Sequence, residues 1–222
     1  MVVKLRRSNQ RNRALTKIEV VVIVAAVAAA FFIFAILPVL MAARHGTKAI
    51  NCINNLHQIG VAHRLWVDDL NNQFPLLSTL DNHPGIPTRK DSAYVLWQEM
   101  SNQLKTPKIL ICPADKKRTV AAGFATGFGN ANVSYFLNAA AKTDPQTVFD
   151  GDANLIVDGV PVQSGILNLW TNSRVGWTKE RNHGMGSGGY IGMADGSVQG
   201  VTSNMLNAVF AVSPATNRLA IP

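Results

Sequence analysis

Residues 15–43 read LTKIEVVVIVAAVAAAFFIFAILPVLMAA. Within them Val20 to Leu37 is an uncharged run of 18 residues. As a helix that run spans about 27 Å, close to the hydrocarbon thickness of a bilayer. The chain stays uncharged as far as Ala43, with Pro38 in the last third. Glu19 stands at the mouth of the run. A carboxylate there costs free energy unless something neutralises it, which marks it as a functional residue. Lys4, Arg6, Arg7, Arg11, Arg13 and Lys17 precede Glu19, and no acid does. Only Arg44 and Lys48 follow the run closely. By the positive-inside rule the leader stays in the cytoplasm and residues 44–222 cross the membrane.

The same asymmetry explains the charge of the whole chain. Of the formal +8, +6 lies ahead of Glu19, and the remainder carries 15 basic against 13 acidic residues. The basic character therefore belongs to a tail. No Lys/Arg cluster with interleaved aromatics follows it, so nucleic acid is not an expected partner. Residues 44–222 suffice for one domain with its own core. Two other readings of the apolar run stand beside assembly. One is a cleaved secretory signal, with Ala28-Ala29-Ala30 offering small residues. Cleavage there leaves FFIFAILPVL at the new terminus, a poor start for a soluble protein. The other is a plain single-pass anchor.

Ala14-Leu15-Thr16-Lys17-Ile18-Glu19-Val20-Val21-Val22 resembles the processing segment of type IV pilins and type II secretion pseudopilins. That family has a short basic leader, then Gly, a cut, Phe-Thr-Leu-Ile-Glu and a long apolar helix. Thr16, Ile18 and Glu19 match; Ala14 stands in place of Gly, Leu15 of Phe, and Lys17 of an apolar residue. Further on, Cys52-Ile53-Asn54-Asn55-Leu56-His57-Gln58-Ile59-Gly60 is similar to a stretch of a pseudopilin-like subfamily common in planctomycete and verrucomicrobial proteins. Asn72-Gln73-Phe74-Pro75, Leu110-Ile111-Cys112-Pro113-Ala114-Asp115, and His183 followed by Ala194-Asp195-Gly196-Ser197-Val198 resemble its later landmarks. Eleven residues separate His183 from Asp195, against the usual nine, because the loop Gly184 to Gly189 is longer.

The resemblance implies a pilin-like α+β fold, a long N-terminal helix packed on an antiparallel sheet. It divides the chain into a cytoplasmic leader (1–14), a transmembrane and assembly helix (15–43) and an exoplasmic domain (44–222). A prepilin peptidase/N-methyltransferase would cut between Ala14 and Leu15. The new amino group of Leu15 would then neutralise Glu19 of a neighbouring subunit, since paired charges in a low dielectric attract strongly while either alone is costly. The apolar helix would serve as membrane anchor and as fibre core, where Ala25, Ala26, Ala28, Ala29, Ala30 and Ala35 suit close helix approach. Pro38 is expected to kink or locally melt it. The implied function is structural, not enzymatic: a subunit of a type II secretion or pilus-like fibre. Implied partners are other pilin-like subunits, an inner-membrane assembly platform and the membrane. The implied location is a bacterial inner membrane, single-pass, with the C-terminal domain periplasmic. An anchored binding module for carbohydrate or calcium, which never assembles, is the alternative.

In the soluble part, Met41 to Asn71 reads as helix, with Ala49, Ile53, Leu56, Ile59, Ala62 and Trp66 on one face. Asp91 is placed to cap a second helix, Ser92 to Leu104, with Tyr94, Leu96, Trp97 and Met100 inward. Lys108 to Cys112, Val133 to Asn138, Asn154 to Val157 and Ile166 to Trp170 read as strands. Asp195-Gly196 between two apolar runs predicts a hairpin, and Ser203 to Ala211 a last helix.

Cys52 and Cys112 lie outside the cytoplasm on this topology, where disulfides persist. A bridge closing so long a loop contributes about 4 kcal/mol in the chain-entropy account; two buried thiols are the other reading. Two cysteines this far apart are not a zinc signature. Asp150-x-Asp152-x-Asn154 resembles the start of a calcium loop, but Leu155 replaces its sixth-position Gly and Pro161 its closing Glu. No other cofactor is expected. His183, Asp195 and a serine can be drawn as a triad, yet no Gly-x-Ser-x-Gly elbow exists and Asp195 fits a turn. Trp66, Trp97, Trp170 and Trp177 read as core.

Overall fold

A computed structural model describes residues 16–69, 93–141, 144–170, 172–178, 188–212 and 217–222. Helix α1 is Lys17–Phe31, and its start is locally encoded. Thr16 is the cap: its Oγ1 accepts from Glu19 N–H at 3.3 Å, while Glu19 Oε2 accepts from Thr16 N–H at 2.8 Å. This capping box satisfies two amides that a helix start otherwise leaves open. A π-helical turn, Phe32–Ile36, follows, and then α2, Leu37–Asp69. Pro38 lies just past that turn. It lacks an amide hydrogen and its ring crowds the carbonyl one turn back, at Phe34. Of the expected kink or local melt, no melt occurs in the described residues; the backbone widens into i→i+5 bonding, the kind of turn at which helices kink. Chain contacts divide the molecule into two units, Met1–Ala43 and Arg44–Pro222.

In the second unit α2 buries the face that its 3.6-residue period predicts. Leu56 and Ile59 are fully buried, Ala49, Ala62 and Trp66 nearly so, and Ile53 is half-buried against them. The second helix divides at Met100 into α3 (Ala93–Glu99) and α4 (Ser101–Leu104), with Leu96, Trp97 and Met100 inside. Asp91 and Ser92 lie outside the described residues. The strand expected at Lys108 to Cys112 is a 3-10 turn, Pro107–Leu110. Proline at its first position and the Thr106 hydroxyl on Lys108 N–H set a helical start there.

The strands are β1 (Tyr135–Asn138), β2 (Val148–Asp152), β3 (Leu155–Val157), β4 (Val160–Pro161), β5 (Gly165–Leu169), β6 (Val175–Trp177), β7 (Gly188–Met193), β8 (Val198–Thr202) and β9 (Asn217–Ile221). Six form an antiparallel sheet in the order β5-β9-β1-β2-β7-β8; β4-β3-β6 form a second. Alternation along the large sheet serves two cores. Tyr135, Leu137, Phe149 and Tyr190 pack with α2 and α3. Phe136, Ile191, Leu219 and Ile221 pack with Leu155 and Trp177 of the small sheet and with Leu206 and Phe210 of α5 (Ser203–Val212). The described residues thus form an α+β unit with its large sheet covered on both faces.

Candidate functional site

The first feature is the apolar helix. Lys17–Leu40 is 24 residues, long and apolar enough to cross a bilayer, and none of it is buried. Phe31 and Phe34 are 72% and 81% exposed. A helix of that length and apolarity matches the hydrocarbon core of a bilayer. Glu19 is the first acid of this helix, and one of its oxygens is taken by the cap.

The second feature is what docks on α2. Three landmark motifs, far apart in sequence, meet along it. Asn55 Nδ2 donates to the Ile111 carbonyl at 2.9 Å, fixing the segment that carries Cys112. One turn on, Gly60 faces the turn of the β7–β8 hairpin. A Cβ on Gly60 would stand 3.1 Å from Gly196 Cα, tighter than side chains ordinarily pack against backbone. Gly196 has φ +84°, the left-handed region that glycine tolerates. His57 Nδ1 lies 3.1 Å from the Gly196 carbonyl, and Arg64 Nη1 donates to the Asp195 carbonyl at 3.1 Å. Asp195 Oδ1 accepts from Ser197 N–H at 2.8 Å, and the hydrogen bonding from Ser197 holds its carboxyl below the usual range. Asp195 and Gly196 therefore build a turn. His183, like Ala14 and Leu15, lies outside the described residues.

The third feature is a buried cluster of acids. Cys52 comes from α2, Cys112 from just beyond the 3-10 turn, Tyr135 from β1, Asp152 from β2 and Tyr190 from β7. Cys52, Cys112, Tyr135 and Asp152 are all 0% exposed. Cys52 Sγ lies 3.3 Å from Tyr135 Oη and donates to Asp152 Oδ1 at 3.6 Å. Asp152 Oδ2 accepts from Tyr190 N–H at 2.9 Å. Hydrogen bonding with Cys112, then burial, pushes the Cys52 thiol far up, and burial does the same to Tyr135. Of the two readings of this pair, bridge or buried thiols, the structure has the thiols, hydrogen-bonded to each other and not covalently joined.

Asp150 and Asp152 form no calcium loop. Both are fully buried inside strand β2, and Asn154 Nδ2 donates to the Thr178 carbonyl at 3.2 Å. Asp150 lies over Gly192, where an added Cβ would overlap Oδ1. Burial, above all, and the neighbouring Asp152 raise the Asp150 carboxyl well above the usual range. Burial thus favours its protonated form. Because the folded pKa is raised, its contribution to stability is present below the unfolded value and is lost as pH rises through the folded one. Asp150→Asn is therefore expected to flatten the decline of stability with rising pH above about 4. Urea midpoints of both chains across pH 4–8 check this; equal slopes would contradict it.

Of the tryptophans, Trp66, Trp97 and Trp177 are core, whereas Trp170 at the end of β5 is 66% exposed. A cleft of about 590 Å³, lined by Lys116, Lys117, Arg118, Asn154, Gln163 and Ser164 among others, was not foreseen from sequence. Its basic residues are a short run whose facing partners come from distant strands. No protein-family model, no curated protein and no solved structure matches the chain.

Proposed function

We propose that the chain is a pilin-like subunit, anchored by its N-terminal helix and assembled through it into a fibre outside the membrane. One observation carries the reading: a 24-residue apolar helix with no buried residue, opened by a single carboxylate. In lipid that surface is satisfied by acyl chains; in a fibre it is satisfied by sister helices. The cap uses Glu19 Oε2 on Thr16 N–H, leaving Oε1 to receive the Leu15 amine of a neighbour after processing. The widened turn before Pro38 gives the stem a place to bend or lengthen without losing all its hydrogen bonds.

The test is Glu19→Ala in the cell that makes the protein. The variant is expected to fractionate with the membrane as before, and to drop at least tenfold in sheared fibre fractions. Undiminished incorporation would contradict the role of Glu19. A second reading, an anchored carbohydrate-binding module that never assembles, is favoured by the 590 Å³ polar cleft. It predicts sugar binding lost in Lys117→Ala and indifference to Glu19→Ala.

A further inference from the structure

We propose that Cys52, Cys112 and Asp152 form a site for one thiophilic divalent cation, of which zinc is the type. Each offers one ligand atom, and these atoms all lie within 4.8 Å of one another. Three separate elements supply them, so the convergence is a property of the fold and not of a local motif. The one sulfur–oxygen edge that is resolved individually has the length of a coordination-shell edge. With metal–sulfur bonds of about 2.3 Å and metal–oxygen bonds of about 2.0 Å at tetrahedral angles, a sulfur–oxygen edge is about 3.5 Å long. Cys52 Sγ stands 3.6 Å from Asp152 Oδ1 and 3.3 Å from Tyr135 Oη.

The surroundings also suit a cation. The Tyr190 amide on Asp152 Oδ2 turns the other oxygen, Oδ1, toward Cys52, as outer-shell partners orient ligating carboxylates. Two thiols, a carboxyl and a phenol packed in one core are groups that a divalent ion gathers and that an apolar core alone does not. A covalent sulfur–sulfur bond would use two members of the cluster and leave the carboxyl on the Tyr190 amide. A metal uses all three. On binding, the two thiols release their protons to solvent and the sulfurs bind as thiolates. The ion would tie α2, the Cys112 segment and β2 together at the level where the landmark motifs dock.

The experiment uses the full chain extracted in mild detergent without chelator. Native mass spectrometry is expected to show one zinc per chain, about 63 Da above the apoprotein after loss of two protons. Both thiols should react only after denaturation with chelator. Cobalt exchanged into the site should give sulfur-to-metal charge-transfer absorption in the near ultraviolet. Asp152→Asn, which keeps the shape of the side chain, should weaken zinc by more than the roughly 10-fold typical of an outer-shell partner; Cys112→Ser should abolish the cobalt bands. A chain lighter by about 2 Da with no reactive thiol would show a disulfide and overturn the proposal. So would two reactive thiols with no cobalt absorption when cobalt is supplied, or zinc affinity unchanged in Asp152→Asn.

Discussion

Gly60→Val is expected to destabilise residues 44–222 by about 3 kcal/mol, the upper end of overpacking penalties. The atom an added Cβ meets is the backbone of Gly196 at 3.1 Å, with the carbonyl oxygen of the same residue at 3.5 Å. A flexible side chain would swing away; a tight turn with φ +84° has no room to. Relief requires the hairpin to lift from α2. Lifting it breaks the Arg64 bond to Asp195 and the His57 contact with Gly196. Those two contacts add about 1 kcal/mol each at most, being partly exposed. Gly46 provides the control. It lies in the same helix with nothing within 4 Å of its added Cβ. Gly46→Ala should therefore stabilise by about 0.5–1 kcal/mol through helix propensity alone. Urea unfolding of the three chains in detergent, followed by tryptophan fluorescence, measures both. Equal midpoints for Gly60→Val and the parent would refute the docking of the hairpin on α2.

Acid is the second large effect. His63 on α2 is 2% exposed and stacks on Phe149 of β2, ring centroids 3.4 Å apart. Burial lowers its pKa from 6.5 to about 3. The unfolded chain therefore binds a proton that the folded chain refuses between those values. Stability tied to His63 is fully present above pH 6.5 and falls as pH drops toward 3. At pH 5 the loss is about 2 kcal/mol, from 1.36 kcal/mol per unit. His63→Leu keeps an apolar partner for Phe149 and should abolish that slope. Asp150 acts in the opposite sense, so the double variant His63→Leu/Asp150→Asn should show the flattest profile of all. Urea midpoints at pH 5 and pH 7.5 decide it. A parent chain equally stable at both values, with His63→Leu unchanged, would contradict the buried neutral imidazole.

Local patterns were legible where one short-range rule decides. The face of α2 follows from the 3.6-residue recurrence of Ala49 to Trp66. The hairpin follows from Asp195-Gly196, because a tight turn needs positive φ. The capping box was equally open to reading in Thr16-x-x-Glu19, and gives Glu19 a local role beside any intermolecular one. Strand β2 was misread for a physical reason. Its Asp150-Gly151-Asp152 has the composition of an exposed turn, and only pairing with β1 and β7 makes burial tolerable. Strands β6 and β9 carry short or mixed patterns, Val175-Gly176-Trp177 and Asn217 to Ile221, that gain meaning only from their partners. Apolar Ile109 to Ile111 has strand composition, but Pro107 ahead of it favours a helical start, and the proline decides. The meeting of Cys52, Cys112 and Asp152 has no local signal, since it depends on α2, the 3-10 segment and β2 taking their places together.

The landmark motifs gain a physical account from the fold. Asn55 holds the backbone before Cys112, and Gly60 admits Gly196. Both contacts are structural, and neither needs a substrate.

On the proposed reading the N-terminal helix of this chain is a processed assembly element. The direct measurement is the intact mass and N-terminal residue of the protein extracted from membranes of its own cell. The expected chain begins at N-methylated Leu15 with residues 1–14 removed. A chain that still carries residues 1–14, and sediments as a monomer, would contradict it.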